Sequence, residues 1–489
     1  MAAAVDMDEK SGAAPAVLEQ QLGNAQAVQV QQPEQPADLP RSSGMLTTLW
    51  RWTPAIFMVS YFVFSISIYT LAPREAVKVL WFLYLTIGTL LAGTTLLESY
   101  DGLSLLREAR KTTAKVARSG WKTDAQLPYV ELILDDADGS GHERLHALRE
   151  SIAYQTERLR ITLLPDNGDD GALVHHLCHL QDRQSGSLPE FTAIFRALQT
   201  PHPHAVRHAV ERLVSDKKID FVQSRSVLIW PAGVSTFKAI YSSLAAFQHD
   251  AIYGLVIPGR SLTWGLPLSH GSAIFGRTSA LQNAAGALKS ASSRHNGPAL
   301  AFSAYAQNLK SAHDLSVVTY TQCPPSLLGC IRMQIESTAE WVASLPYVAL
   351  AFTKMKQNSA PSEKSDTNPA GRTLKQRTSI LFALVLTRLG SHAVLQYFSL
   401  ALALLFNEAP HSGAEFSTLI FFPYHISIWL IVSGLICLVG TVAMAHRAAS
   451  EYAPPSWAFP FLVVLYPFML LVQAFVDVYA QAGIFLGVL

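Results

Sequence analysis

The segment Tyr129-Val130-Glu131-Leu132-Ile133-Leu134 begins a region of alternating strand-like and helix-like patterns in the middle of the chain. Its apolar and β-branched residues predict a buried β-strand. Similar apolar runs follow at residues 160–164 and 191–195, separated by segments with helical periodicity such as 143–153. This alternation predicts an α/β domain with a mostly parallel sheet, whose ligands lie beyond the carboxyl ends of the strands.

Apolar segments long enough to cross a bilayer lie on both sides of this domain. Residues 53–72 and 76–97 precede it, and about three further segments, near 380–406, 416–445 and 457–489, follow it. A helix needs roughly 20 residues to cross a hydrocarbon core about 30 Å thick. We therefore predict an integral protein of the inner or plasma membrane, surrounded by membrane lipid, with the α/β domain inserted between transmembrane helices.

Basic residues set the predicted orientation. They follow the second apolar segment and comprise Arg107, Arg110, Lys111, Lys115, Arg118 and Lys122. The positive-inside rule places that side of the membrane in the cytoplasm. The N-terminus and the α/β domain are therefore expected to be cytoplasmic.

These patterns divide the chain into predicted regions. They are a disordered tail (1–44), a transmembrane hairpin (45–100), a basic cytosolic connector (101–126), the α/β domain (127–341), an interfacial helix with a basic linker (342–377), and a C-terminal transmembrane region (378–489). The tail is rich in Ala, Gln and Pro, so it buries too little apolar surface to offset the entropy of ordering.

Composition narrows the range of partners. The 489 residues carry a net charge of only +1, and no long basic run is interleaved with aromatic residues. Nucleic acid is therefore not an expected partner. The cysteines show no metal-ligand spacing and are expected to be reduced or buried: Cys178, Cys323, Cys330 and Cys437.

Histidines form two clusters that resemble incomplete zinc sites. His175, His176, Cys178 and His179 form one, and His204 and His208, one helical turn apart, form the other. A closed zinc site needs four converging ligands. Surface or partly buried histidines are the preferred interpretation, so no metal ligand is assigned.

Several stretches of the domain resemble a known family. Phe221-Val222-Gln223-Ser224 resembles the F-V-Q-[ST] strand of processive family-2 glycosyltransferases of the cellulose-synthase type. Residues 191–209 are similar to the strand and helix around that family's metal motif, F-D-A-D-x-x-P-x-P-D-A. His270-Gly271-Ser272-Ala273, followed by Arg277-Thr278-Ser279-Ala280-Leu281, looks like its G-[ST]-N region and the next helix. The resemblance implies a GT-A-like α/β fold between membrane spans.

In that family a strand-end carboxylate holds uridine, and a D-x-D motif holds a divalent ion against the diphosphate. The acid of a T-E-D motif is the general base, and a Q-x-x-R-W motif binds the acceptor. The resemblance therefore implies a UDP-sugar ligand, with candidate nucleotide contacts at Asp136, Asp166 and Arg196. It also implies acceptor-binding or groove-lining candidates: Gln223, His270, Gly271, Ser272 and Arg277.

The catalytic set of that family is mostly absent. Arg196 and Leu198 occupy the D-x-D positions, which leaves no oxygen ligand for Mg²⁺ or Mn²⁺ there. Residues 298–303, at the T-E-D position, carry no ionisable side chain, and Met333-Gln334-Ile335-Glu336-Ser337 lacks the Arg and Trp of Q-x-x-R-W. We assign no catalytic residue and expect no divalent metal.

Arg196 has two interpretations. A guanidinium binds phosphate bidentately, so Arg196 would contact the nucleotide without a metal. The alternative is a structural arginine that faces solvent or pairs with Asp166.

Two functions remain open. No Asp or Glu occurs between Asp250 and Asp314, and a sugar-transfer site needs a base in that half. The first hypothesis is therefore an inactive homologue, a pseudoenzyme that acts as a scaffold, regulatory or binding subunit in polysaccharide synthesis or export, with the other subunits of a synthase complex as partners. The alternative is an active membrane glycosyltransferase that extends a polysaccharide with displaced acids, namely Asp135, Asp138, Asp166 or Glu336.

Two basic side chains fall inside a predicted span. Arg388 and His392 lie in the apolar segment 380–406. Ionisable groups at such positions normally face the bundle interior or an aqueous path. One interpretation is a role in a translocation channel. The other is a packing arginine that pairs with a carbonyl group or extends toward the cytosolic interface.

Overall fold

The structure is a computed structural model of the full chain. It describes residues 45–121, 123, 126–136, 141–165, 172–180, 189–195, 199–229, 236–264, 273–286, 288, 296–307, 309–324, 326–345, 378, 390–407, 411–421, 424–448 and 459–486. Leu49–Leu489 forms one compact unit. The predicted disordered tail, 1–44, lies outside the described residues.

Two long helices precede the sheet. Helix α1 is Met45–Leu71 and helix α2 is Arg74–Ser119. Helix α2 is a single helix of 46 residues, about 69 Å long at 1.5 Å per residue. It continues without a break through most of the segment predicted as a separate basic connector.

The centre of the described chain is a seven-stranded sheet in the order β2-β1-β3-β6-β5-β7-β4. Its strands are β1 (Val130–Asp136), β2 (Leu159–Pro165), β3 (Phe191–Phe195), β4 (Gln199–Pro201), β5 (Phe221–Ile229), β6 (Ile274–Arg277) and β7 (Ser311–Gln322). The first three predicted strands therefore lie where the apolar runs placed them.

The sheet is mixed, which corrects the prediction of a mostly parallel sheet. Strand β1 is parallel to β2 and β3, and β5 is parallel to β7. Strand β6 is antiparallel to both of its neighbours, β3 and β5, and β4 is antiparallel to β7. The direction of β6 is set by its pairing with β3 and β5, which come from distant parts of the chain.

Helices cover both faces of the sheet. They are α3 (Gly141–Ser151), α4 (Ala172–Cys178), α5 (Ala205–Ser215), α6 (Thr236–Ala251), α7 (Ile257–Trp264), α8 (Thr278–Gly286), α9 (Asn296–Ala306) and α10 (Leu327–Ala343). A 3₁₀ turn, Thr156–Arg158, precedes β2, and a π-helical segment, Ile252–Val256, joins α6 to α7.

Alternate residues of β1 divide the core into two layers. Leu132 and Leu134 pack in one cluster with residues of α3 and α5, whereas Ile133 packs in a second cluster with residues of α4, α8 and α9. Since successive strand residues point to opposite faces, the apolar run of β1 supplies both layers at once.

The C-terminal helices are α11 (Gly390–Asn407), α12 (Gly413–Phe421), α13 (Ser427–Ala448) and α14 (Phe459–Phe485). The span predicted from residue 416 differs from the structure, where the long helix begins at Ser427. Pro467 lies within α14.

Four helices of the described chain are long and apolar enough to cross a membrane, by length and composition. They are Trp52–Leu71 within α1, then α2, α13 and α14; a shorter apolar helix spans Gly390–Phe406. These helices agree with the predicted membrane protein.

Candidate functional site

The carboxyl ends of β1, β2 and β3 meet at one edge of the sheet. In the strand register, Asp136 lies opposite Pro165, and Leu134 lies opposite Phe195. This is the edge where a parallel sheet presents ligands. The backbone of Asp136 ends β1 at this edge, whereas Asp166 and Arg196, which directly follow β2 and β3 in the sequence, lie outside the described residues.

Gln223 lies in the interior of the sheet. It is opposite Ile274 of β6 and His313 of β7, and its side chain is 2% exposed. The next residue, Ser224, shares a 3.0 Å hydrogen bond between hydroxyl oxygens with Thr319 of β7. The structure therefore places this candidate for the acceptor groove within the core.

Arg277 makes the contacts of a structural residue. Its guanidinium donates to the backbone carbonyl oxygens of Leu213 at 2.6 Å and Ile219 at 3.2 Å. It also lies 5.7 Å from the ring centroid of Phe191. These contacts join β6 to the connection between α5 and β5. The other acceptor candidates, His270, Gly271 and Ser272, lie outside the described residues.

The segment at the position of the T-E-D acid is a buried helix. Residues 298–303 belong to α9, where Ala299, Leu300 and Phe302 are at most 4% exposed. The one hydroxyl in the segment, that of Ser303, donates to the carbonyl oxygen of Ala284 at 2.7 Å. This helix packs against α8, and its residues 298–303 carry no ionisable side chain.

Asp250 and Asp314, the acids on either side of the stretch that has no Asp or Glu, both accept hydrogen bonds from neighbouring residues. Asp250 accepts two hydrogen bonds from Arg225 Nη2, at 2.7 and 2.9 Å, and a third from Nε at 3.2 Å. Both side chains are buried. Asp314 accepts from the backbone N–H of Ser316 at 2.9 Å and from its hydroxyl at 2.6 Å. Arg225 thus engages both oxygens of Asp250, whereas both hydrogen bonds from Ser316 are made to Oδ1 of Asp314.

Glu336, one of the displaced acids considered above, is exposed on α10. Its carboxylate pairs with Arg332 one helical turn earlier, at 2.9 Å, and both side chains are more than half exposed. It is a surface ion pair, which contributes little to stability.

A buried carboxylate that the sequence patterns did not single out lies at the start of β1. Glu131 is fully buried, and its Oε1 accepts from the hydroxyl of Thr162 at 2.6 Å. His176 Nε2 lies 3.4 Å and Arg160 Nε 3.6 Å from the same oxygen. Burial raises the pKa of Glu131, but the hydrogen bonds from His176 and Thr162 and the nearby charges outweigh it, so the pKa is lowered overall.

The strand pattern contained a signal for this residue. Glu131 is two residues before Ile133, so both face the layer of α4 and α8, where an unpaired acid would be costly. Its other oxygen, Oε2, has no hydrogen-bond partner among the described residues.

A cavity of about 280 Å³ lies between the C-terminal part of α2, helix α5 and strand β7. Its lining includes Glu108, His208, Glu211, His313 and Asp314. Burial lowers the pKa of His313 to about 3 and also lowers that of His208. These histidines are therefore neutral near pH 7. The cavity had no sequence signal because its residues come from three distant segments.

Helix α2 is joined to α7 and to the π-helical segment before it by a buried ion pair and by close contacts at two glycines. Arg260 donates to both carboxylate oxygens of Glu98, at 2.9 and 3.0 Å. At the same crossing, a Cβ on Gly102 would collide with the carbonyl group of Leu255, and one on Gly259 with that of Glu98. The α/β region is thus held directly on the membrane helix.

His392 contacts its neighbours inside the C-terminal bundle. Its Nε2 lies 2.9 Å from Gln481 Oε1 of α14, and its ring meets Tyr61 edge-on at 5.9 Å. One residue earlier, Ser391 donates to Asp477 at 2.7 Å. These are packing contacts between helices. Arg388 lies outside the described residues.

No group of three or more His, Cys, Asp or Glu side chains in the described part of the chain is arranged to hold a metal ion. The rings of His175 and His179 lie 4.4 Å apart, and His208 packs edge-on against Trp121 at 4.7 Å. All four cysteines are free thiols.

Comparison with known proteins gives little further information. No family model matches the chain. No curated protein sequence matches it. Among solved structures, the chain is similar to a mannosyltransferase from Pyrobaculum calidifontis in complex with GDP-mannose and Mn²⁺, with a TM-score of 0.37 and 15% identity over 75% of this chain and 98% of that chain. A likeness of this size does not bear on function.

Proposed function

We propose that this chain is a membrane-integrated homologue of family-2 glycosyltransferases that does not catalyse sugar transfer. It would act as a scaffold, regulatory or binding subunit in polysaccharide synthesis or export. The sequence resemblances around Phe221-Val222-Gln223-Ser224 and the α/β sheet beside membrane helices support the family assignment.

The buried state of α9 carries the proposal. The segment expected to supply the general base is an apolar helix in the core, and the nearest acids in the sequence, Asp250 and Asp314, are bonded to Arg225 and Ser316. A general base must reach the hydroxyl that it deprotonates. Within residues 298–303, a base would have to replace a side chain that packs in the core.

The active alternative rests on the edge formed by β1, β2 and β3. Asp136 ends β1 at this edge, and Asp135, Asp138 and Asp166 are close to it in the sequence. By the resemblance alone, Asp166 would contact the uridine of a nucleotide sugar bound there. This favours nucleotide binding at the same edge under either hypothesis.

The deciding experiment uses purified full-length protein in detergent or lipid nanodiscs. Release of UDP or GDP is measured from a panel of nucleotide sugars, with and without Mg²⁺ or Mn²⁺, alongside a direct titration with UDP. We expect no turnover. We also expect UDP to bind without a metal ion, and Asp166→Ala to weaken that binding about tenfold or more. The Glu75→Ala variant is the matched control, because Glu75 is exposed and pairs with Lys78 in the first turn of α2, and it should bind as the unaltered protein does.

Turnover that is lost on Asp166→Ala would overturn the non-catalytic proposal and support the active alternative. If the protein neither binds nor turns over nucleotide, the non-catalytic role stands and nucleotide binding at this edge is ruled out.

A further inference from the structure

Two buried cysteines face the same small core where β7 ends and α10 begins. Cys323 follows the last residue of β7 and is 2% exposed, and Cys330 lies in the first turn of α10 and is 8% exposed. They share one apolar cluster with Leu228 and Ala246, and Met333 packs against it. Only six residues separate them in the sequence.

Backbone hydrogen bonds fix the turn between the two cysteines. The N–H of Cys323 donates to the carbonyl oxygen of Ile229 at 2.7 Å, which extends the pairing of β7 with β5. The hydroxyl of Ser326 accepts from the N–H of Gly329 at 3.1 Å and caps α10. The thiol of Cys330 lies 3.8 Å from the carbonyl oxygen of Pro324, the residue next to Cys323.

Gly329 permits this close approach. A Cβ at this position would lie 2.8 Å from Cβ of Pro324 and 3.2 Å from Oγ of Ser326. Because Gly329 has no side chain, the first turn of α10 rests against Pro324, and Cys330 is held over the segment that carries Cys323. A disulfide needs the two Cα atoms within about 4.4–6.8 Å of each other, and the shared cluster and the contact with Pro324 bring both cysteines to this junction.

The two thiols also influence each other's ionisation. Their hydrogen bond, together with burial, raises the pKa of Cys323, whereas the same hydrogen bond lowers the pKa of Cys330. Cys330 is therefore the more readily ionised of the pair. The thiolate is the reactive form of cysteine.

We propose that Cys323 and Cys330 form a reversible disulfide, which makes the junction of β7 and α10 a site of thiol oxidation. The oxidant in this proposal is hydrogen peroxide. The Cys330 thiolate attacks one peroxide oxygen, the O–O bond breaks, and a sulfenic acid and water form once the released proton is taken up. Cys323 then attacks the sulfenic sulfur, the S–S bond forms, and a second water leaves. Two thiols are oxidised by two electrons, and one peroxide is reduced to two waters.

The disulfide would tie the sheet to a helix that contacts the membrane bundle. Thr338 of α10 donates to Asp477 of α14 at 2.7 Å, and both side chains are buried. In the reduced state the start of α10 is held by its cap and its apolar contacts. In the oxidised state a covalent bond would fix α10 to β7, and through it the position of α14 relative to the sheet.

The test maps cysteines in the purified full-length protein before and after exposure to hydrogen peroxide. Free thiols are blocked with N-ethylmaleimide in denaturant, and peptides are identified by mass spectrometry. Trypsin leaves both cysteines in one peptide, residues 311–332. We expect this peptide to be lighter by two hydrogen atoms than its reduced form and unlabelled at Cys323 and Cys330, and both thiols to react with N-ethylmaleimide after reduction by dithiothreitol. Cys178→Ser and Cys437→Ser, at half-buried cysteines outside this cluster, should leave the linked pair unchanged.

A separate measurement shows which of the two cysteines reacts first with hydrogen peroxide. In Cys323→Ser the sulfenic acid on Cys330 has no thiol to condense with, so dimedone should label Cys330. In Cys330→Ser we expect dimedone labelling of Cys323 at least tenfold lower. Full N-ethylmaleimide labelling of both cysteines in oxidised unaltered protein, or a disulfide from either one to Cys178 or Cys437, would overturn the proposal without any variant having to fold.

Discussion

At the scale of single residues, Glu131 and Asp250 show two ways in which this fold accommodates a buried carboxylate. Asp250 is neutralised by a three-bond contact with one arginine, Arg225. Glu131 is held by a hydroxyl, an imidazole and a more distant guanidinium, which lower its pKa. The second arrangement links the stability of the sheet to pH.

We predict that Glu131→Gln destabilises the protein near pH 7 and less so in acid. The folded-state pKa of Glu131 lies below its ordinary value, so its ionised form stabilises the fold above the unfolded pKa of about 4.3. That stability is lost as the pH falls through the folded pKa. The loss at pH 7 should be about 1–3 kcal/mol.

Thermal unfolding of both proteins from pH 3 to pH 7 in one detergent measures this difference. Glu150→Gln is the control, because Glu150 pairs with His146 on an exposed helix face. It should change the unfolding temperature little at any pH. A constant difference between Glu131→Gln and the unaltered protein across the range would contradict the assignment.

Individual contacts of this kind were only partly predictable. The deficit of acids between Asp250 and Asp314 was evident in the sequence, and the structure shows α9 of this interval inside the core. The partner of Asp250 was not evident, because Arg225 lies on a different element, 25 residues earlier. Arg277 matched a family motif, yet its guanidinium serves backbone carbonyls.

At the scale of elements, apolar runs predicted strands β1, β2 and β3 to within two residues at each end. The direction of β6 was not predictable, since it depends on pairing with β3 and β5 from distant parts of the chain. The length of α2 was not predicted either. Hydropathy falls after residue 97, but helical hydrogen bonding continues to Ser119 because that segment contains no proline and its one glycine, Gly102, lies where Leu255 packs against the helix.

The crossing of α2 and α7 gives a prediction for elements. Gly102→Ala places a methyl group against the carbonyl of Leu255, so the helices must separate or shift. Overpacking of this kind costs about 1–3 kcal/mol. We expect a lower unfolding temperature and faster hydrogen exchange in α7 and in the π-helical segment Ile252–Val256.

Gly88→Ala is the matched control, since Gly88 lies in the same helix and a Cβ there would meet no atom within 4 Å. Replacing a glycine by alanine in a helix with free space is neutral or stabilises by about 0.4–1 kcal/mol. Equal effects of the two substitutions would show that the crossing is loosely packed.

At the scale of the whole molecule, the α/β region and the membrane helices share one core. Leu103 and Leu106 of α2, Phe247 and Leu255 near α6, and Leu315 of β7 pack in a single cluster. Residues of α13 and α14 complete this cluster: Val442, Ala445, Ala448, Leu462 and Tyr466. The predicted boundary at residue 127 therefore crosses a continuous apolar contact.

We predict that residues 127–341 alone do not reproduce their structure in the full chain. Without α2, α13 and α14, the side chains of Phe247, Leu255 and Leu315 lose their apolar partners and face solvent. Size-exclusion chromatography should show aggregation, and hydrogen exchange should show loss of protection in α6, α7 and β7. A monodisperse fragment with the protection pattern of the full chain would contradict this prediction.

Because α2 is one continuous helix, insertions and deletions within it are constrained during evolution. Its Val77 and Trp81 pack with α11, while Leu103 and Leu106 pack with α13 and α14. One residue inserted between these two positions would turn every later residue by about 100° and shift it by about 1.5 Å. A single insertion would therefore misdirect one contact face or the other. The helix fixes both the height of the sheet above the bundle and its angle around it, so inserting a whole turn would restore the angle but would still raise the sheet by about 5.4 Å.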